Sequence, residues 1–279
     1  MGLADSVIQK LAEFAARTGG GLAARAGGGA ERGPGAVETE LSVELVAEVE
    51  ALGDADDAVG KAVFFKTGPG EYGEGDEFVG VRVPELRRMA RGAGKSATLA
   101  DVEALLAHRW NEVRLLGGLI LVELYRRAKE PTQQEAAVQT MLDNLDRLSN
   151  WNLVDSVAPY VLGPWLLRNP ERRPLLDELL TSPSVWWRRT AVVATFALIR
   201  AGEFDDLLRL AGRAIGDEHD LMHKATGWML REVGQRDRAV LNRFLDAHAH
   251  EMPRTMLRYA LEKHPQPERQ AYLTAARRV

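Results

Sequence analysis

The chain contains no cysteine. That excludes disulfides, iron–sulfur clusters and thiolate-bound zinc, and it suits a reducing compartment. No uninterrupted apolar run is long enough to cross a bilayer. A secretory signal is missing as well, because Asp5, Lys10 and Glu13 interrupt the stretch that would have to be apolar. The expectation is a cytoplasmic protein. Alternation of period two never persists between turn signals, so strands are not expected either.

Several catalytic signatures are also absent. The segment KTGPGEYGEGDEF, residues 66–78, is rich in glycine but lacks the Gly-Lys-Ser/Thr ending of a phosphate-binding loop. It follows a helical pattern rather than a strand, and it reads as a long ordered loop. His219 and His223 share a helix face and, with Asp220, mimic a zinc-protease motif. The Glu base and a third ligand are missing, so a solvated helix face is expected and no metal. His248 and His250 lie two apart and point to different faces. No Ser-His-Asp or GxSxG arrangement stands out.

What is present is a large, mostly apolar and unevenly charged chain. Its 279 residues suffice for one large domain or two ordinary ones, and 46% hydrophobic with 27% charged residues is ordinary for a globular protein. The net charge is −4. Residues 1–84 carry 7 Lys and Arg against 15 Asp and Glu, whereas residues 85–279 carry 29 against 25. A basic groove is compatible with a mildly acidic whole, so net charge does not exclude nucleic acid.

Residues 1–17 have the spacing of a short amphipathic helix, with Val7, Ile8, Leu11 and Phe14 in register. Residues 18–37 are Gly- and Ala-rich with few large apolar side chains, the composition of a linker. Residues 1–37 are therefore set apart as an appendage, and residues 38–279 as the functional domain. From Leu41 onward apolar residues recur at three and four, as in Val113, Leu116, Ile120 and Leu124. Ser149, Ser182 and Asp217 stand at expected helix starts, and Pro131, Pro183 and Pro265 at breaks. The chain reads as all-α.

Four helical segments carry a basic anchor followed closely by small or apolar residues: VRLLGGLIL, RRTAVVATF, HKATGWMLR and PRTMLRYAL. Their anchors are Arg114, Arg189, Lys224 and Arg254, at separations of 75, 35 and 30 residues. The longest gap holds two units, with the helix around Asp155 between. Repeats of roughly 35–45 residues built from helix pairs suggest a superhelical solenoid of HEAT- or armadillo-like pairs with a concave face. The competing architecture is a non-repetitive helical bundle.

Chemistry concentrates in three segments. LSNWNLVDSVAPYV puts Trp151 and Asp155 four apart on one helix face. SVWWRRTAVV carries Trp186, Trp187, Arg188 and Arg189, and HKATGWMLREVG carries Lys224, Trp228 and Arg231. Aromatic faces beside basic groups can stack on bases or sugars and attract cations. The plainer reading makes Trp186 or Trp187 core, the arginines surface charge, and Asp155 half of a salt bridge to a neighbouring repeat.

In this order the segments resemble the AlkD-type DNA alkylation repair glycosylases, over about Ser42 to Leu273. The SNWNLVDSVAP, WWRRTAVV and KATGWMLREVG segments are the specific ones. The resemblance implies HEAT-like pairs and removal of N3- and N7-alkylated purines from duplex DNA by hydrolysis of the glycosidic bond, without flipping the base. It implies that Asp155 is the catalytic carboxylate, with Trp151 and Trp228 facing the lesion. Arg189 matches a phosphate-contacting arginine and Arg231 the arginine one turn past the second tryptophan. Arg188 and Lys224 join them as expected phosphate partners. Where some members place a tyrosine near the lesion, this chain has Phe64, without the hydroxyl. No cofactor is implied, and members act alone on DNA, so a monomer is expected.

Those residue types suit that reaction. An alkylated purine is cationic and leaves readily, so positive charge develops on the sugar near C1′. A fixed carboxylate stabilises that charge and orients water. Indole faces hold the cationic sugar, and basic side chains fix the duplex in register. Two rivals remain: a non-catalytic module of the same fold that binds damaged, bent or branched DNA, and a HEAT-type scaffold for proteins. The lesion range, from small methyl to bulky adducts, is open.

Overall fold

α-Helices joined by turns and one long loop make up most of residues 37–275, which are the residues described by the structure, a computed structural model. The expected appendage, up to residue 36, lies outside them. Among the described residues β pairing amounts to one isolated bridge between Glu77 and Trp110. No helix of the described residues is long and apolar enough to cross a membrane. The helices fall into two compact units that divide after Val157.

The first unit contains α1 (Glu40–Ala51), α2 (Ala55–Phe64), α3 (Val83–Ala93), α4 (Leu99–Leu106), α5 (Asn111–Arg127), α6 (Pro131–Asp143) and α7 (Trp151–Val157). Local chemistry sets their starts. Thr39 and Thr98 each accept a backbone N–H three residues on and form capping boxes with Ser42 and Asp101. Asp54 caps α2 through the N–H groups of Asp56 and Asp57. Pro131, expected at a break, is the first residue of α6, where its missing N–H costs no hydrogen bond.

Helix α5 is the centre of this unit and packs against α3, α4, α6 and α7. Val113, Leu116 and Ile120 are fully buried, as their spacing predicts. Burial extends right round its first turn, so the polar side chains there need partners. Glu112 is 2% exposed, pairs with Lys61 at 2.8 Å and accepts the N–H groups of Val79 and Gly80, each at 3.0 Å. Arg114 forms a buried ion pair with Asp76 and donates to Ser149 Oγ at 3.0 Å and to the Arg147 carbonyl at 3.4 Å.

The second unit contains α8 (Leu162–Arg168), α9 (Pro174–Leu180), α10 (Val185–Ala194), α11 (Phe196–Arg200), α12 (Asp205–Ala214), α13 (Asp220–Arg236), α14 (Arg238–His248), α15 (Arg254–Ala260) and α16 (Gln266–Ala275). Its hub is α13, which packs on α10, α11, α12, α14 and α15. Two expected helix starts lie slightly early. Ser182 and Asp217 precede α10 and α13 by three residues, yet they still brace those starts by accepting from the N–H groups of Ser184 (3.1 Å) and His219 (2.9 Å).

Several ion pairs of this unit span a similar sequence separation. Arg173 reaches Asp206 33 residues on, Arg188 reaches Asp217 29 on, and Arg231 reaches Glu262 31 on. Arg209 returns 32 residues to Asp177. Two of the four basic anchors do similar work through backbone carbonyls: Arg114 donates to Arg147 and Arg189 to Leu221, 33 and 32 residues away. These two arginines tie the starts of α5 and α10 to the approach to α7 and the start of α13.

Candidate functional site

Trp151 and Asp155 lie on the short helix α7. Leu153, Val154 and Val157 are fully buried and fix which side of that helix meets the core. Trp151 and Asp155, one turn apart, are left partly exposed, as is Ser156. Asp155 is thus neither sealed in the core nor carried off the face of Trp151. The start of α7 is locked by Asn150, which is fully buried. Its Oδ1 accepts the Trp151 N–H at 2.8 Å, and its Nδ2 donates to Asp76 at 2.6 Å.

The indole of Trp151 is clasped by the end of α2 and the loop beyond it. It stacks on Phe65 with centroids 4.9 Å apart and planes 28° apart, and meets Phe64 edge-on at 5.8 Å. Phe65 in turn stacks on Phe78 at 5.0 Å. Phe65 and Phe78 are buried, whereas Phe64 is 64% exposed. Phe64 therefore sits beside Trp151 with its ring open to solvent.

The Gly-rich loop contributes two side chains that the sequence did not single out. Tyr72 accepts the Trp151 Nε1–H at 3.3 Å and donates to the Phe64 carbonyl at 3.4 Å. Asp76 accepts from Asn111 at 3.0 Å, from Asn150 and from Arg114, so three side chains, two from α5 and one from the approach to α7, converge on one carboxylate. The loop folds back on itself through Gly73, whose N–H bonds the Lys66 carbonyl at 2.9 Å. A Cβ at Gly73 would lie 2.2 Å from the Phe65 carbonyl, so only glycine fits there. The glycine pattern was visible in the sequence, but it has no periodicity to say which side chain the turn delivers.

The remaining candidates belong to the second unit. Trp228 is partly exposed on α13; its Nε1–H donates to Glu232 one turn on at 3.3 Å, and its ring lies 6.2 Å from Phe196. Trp187 is 1% exposed and belongs to the core, while Trp186 is partly exposed. Arg188 binds Asp217 through two nitrogens and donates to the carbonyls of Ser182 and Pro183. Arg189 is 5% exposed and donates to the Leu221 carbonyl at 2.6 Å. Arg231 pairs with Glu262 and lies 3.8 Å from Glu232. Lys224, the most accessible of the four, pairs with Asp220 at 2.8 Å.

The two histidines of the zinc-protease lookalike serve the helix start. His219 caps α13, its Nδ1 accepting the Leu221 N–H at 3.2 Å, and burial pushes its pKa down. His223 Nε2 lies 2.5 Å from the Asp217 carbonyl. Arg188, Asp217, Glu218 and His219 line a shallow cleft of about 390 Å³ beside this start. Among the described residues no group of three or more His, Asp or Glu side chains is placed to hold a metal ion.

The family model for DNA alkylation repair enzymes matches residues 45–264. A solved structure, described as a predicted DNA alkylation repair enzyme from Enterococcus faecalis, superposes with a TM-score of 0.61 at 15% identity. The match covers 77% of this chain and 97% of that one, and at this identity it speaks to the fold. No curated protein matches. Most of the chain, including every candidate site residue, lies within the matched span, and the chain belongs to the family of DNA alkylation repair enzymes.

Proposed function

We propose that the protein is a DNA glycosylase that hydrolyses the bond between deoxyribose and a cationic N3- or N7-alkylated purine in duplex DNA, without flipping the base. The observation that carries this reading is the shared, partly exposed face of Trp151 and Asp155 on α7. An acidic residue left partly exposed one helical turn from a tryptophan can meet a sugar as it becomes cationic.

In this reading the bond from C1′ to the purine nitrogen breaks, and its electron pair leaves with the base, cancelling the positive charge of the alkylated ring. The sugar becomes oxocarbenium-like. Asp155 stabilises that charge and takes the proton of the water that adds at C1′. Trp151, with its ring braced by Phe65, offers a π face to the cationic sugar; the part of a second indole falls to Trp228 on the family resemblance alone. Phe64 supplies an exposed apolar ring beside Trp151 and no hydroxyl. Lys224, Arg188, Arg189 and Arg231 bind phosphates by exchanging their present protein acceptors for phosphate oxygens, which sets position rather than sequence readout. The reaction requires no metal or organic cofactor, and one copy of the chain suffices.

A duplex treated with a methylating agent tests the reading. Free 7-methylguanine and 3-methyladenine are quantified in the supernatant, and a gel shift follows binding to the same duplex. Time-dependent release of either base is expected. Binding without release of these or any bulkier cationic base would make the protein a non-catalytic DNA-binding module.

A further inference from the structure

The Gly-rich loop does more than connect α2 to α3. Its middle residue, Tyr72, reaches a tryptophan 79 positions later in the chain, and the hydroxyl makes two bonds of opposite sense. It accepts from the indole N–H of Trp151 and donates to the carbonyl of Phe64, so both its proton and a lone pair are committed. The ring faces of Trp151 are set by Phe65 and Phe64, but stacking alone lets an indole slide and rotate in its own plane. A hydrogen bond to the indole nitrogen removes that freedom because Nε1 is the only polar point on the ring.

The loop itself is held at three points. Gly73 closes it against Lys66, Asp76 pins its far end to Asn111, Arg114 and Asn150, and Glu112 collects the N–H groups of Val79 and Gly80 where it leaves. Lys66, at the loop entry, has a φ of 57°, a left-handed conformation that a lysine adopts only when its surroundings demand it. The same Asn150 that bonds Asp76 accepts the backbone N–H of Trp151. Backbone and indole of Trp151 are therefore both fixed by one loop.

We propose that Tyr72 is a positioning residue, which fixes the in-plane orientation of the Trp151 indole one helical turn from Asp155. The orientation matters for excision only if the glycosylase reading holds, so the inference rests on that reading for its effect on rate. The effect on the indole itself stands apart from it.

The test uses the full chain carrying 5-fluorotryptophan, whose six tryptophans give separate fluorine signals, with Trp151 identified by the signal lost in Trp151→Phe. Tyr72→Phe removes a single oxygen and keeps the ring. It is expected to shift or broaden the Trp151 signal while the others hold. Single-turnover release of 7-methylguanine should slow about five- to tenfold, the value of one hydrogen bond, with the duplex Kd unchanged. Asp76→Asn, which loosens the loop but keeps Tyr72, should move the same signal. An unmoved Trp151 signal in Tyr72→Phe overturns the inference, and so does a weakened Kd with an unchanged rate, which would make Tyr72 a DNA contact. If the wild type releases no base, the glycosylase reading fails while the fluorine signal still decides the role of Tyr72.

Discussion

Arg114 and Asp76 stand 38 residues apart and meet as an ion pair with 9% and 7% of their side-chain surfaces exposed. The arginine was expected to be a repeated basic anchor; it is the buried tie between the Gly-rich loop and the start of α7. Removing one member of such a pair strands the other charge, at a cost of about 3–5 kcal/mol. Arg114→Ala should therefore lower the urea midpoint sharply. Arg82→Ala, which breaks an exposed pair with Asp57, should leave it unchanged.

Helix α13 crosses α15 at Gly227, the glycine immediately before Trp228. A Cβ there would lie 2.5 Å from the Met256 carbonyl and 2.6 Å from Tyr259 Cβ. Both obstacles are backbone or close to it and cannot swing aside. Gly227→Ala should cost about 1–3 kcal/mol by overpacking, read as a lower denaturation midpoint at constant m.

Lys224 is 41% exposed and its partner Asp220 is 55% exposed, so their pairing is weak and readily exchanged for a phosphate. Lys224→Gln should weaken duplex binding evenly across sequences and reduce the slope of log K against log salt by about one. Arg189→Gln should lower stability as well, because it abandons the Leu221 carbonyl in the interior. Binding titrations at several salt concentrations, paired with thermal melts, separate the two effects.

Three histidines carry a pH dependence of known sign. Burial lowers the pKa of His108, His219 and His264 below the usual 6.5. In the window below 6.5 the unfolded chain binds protons that the folded chain does not yet bind. Stability is therefore fully present above 6.5 and declines as pH falls toward the folded values. His219→Asn keeps a capping acceptor on α13 and deletes one titration. Its unfolding free energy should fall less steeply than that of the wild type between about pH 7 and about pH 5.5.

Periodicity made the helices legible, because apolar residues at three and four dictate a buried stripe whatever the tertiary context. The same rule put Trp151 and Asp155 on one face, and α7 keeps them there because Leu153, Val154 and Val157 leave only that side to solvent. Arg114 and Arg189 were harder to read. A basic residue at the start of a helix looks alike whether it meets solvent or a carbonyl 32 or 33 residues away. Tyr72 and Asp76 were illegible for a related reason: irregular backbone has no period, so partners 79 and 38 positions distant cannot be inferred from spacing.

The most direct test is the single-turnover rate of Asp155→Asn on duplex DNA containing 7-methylguanine, measured beside its duplex Kd. The substitution keeps shape, turns one acceptor oxygen into a donor and removes the charge. A fall in rate of about 10²–10³ or more, at unchanged Kd, is the predicted result. Release by the variant at the wild-type rate would contradict the account.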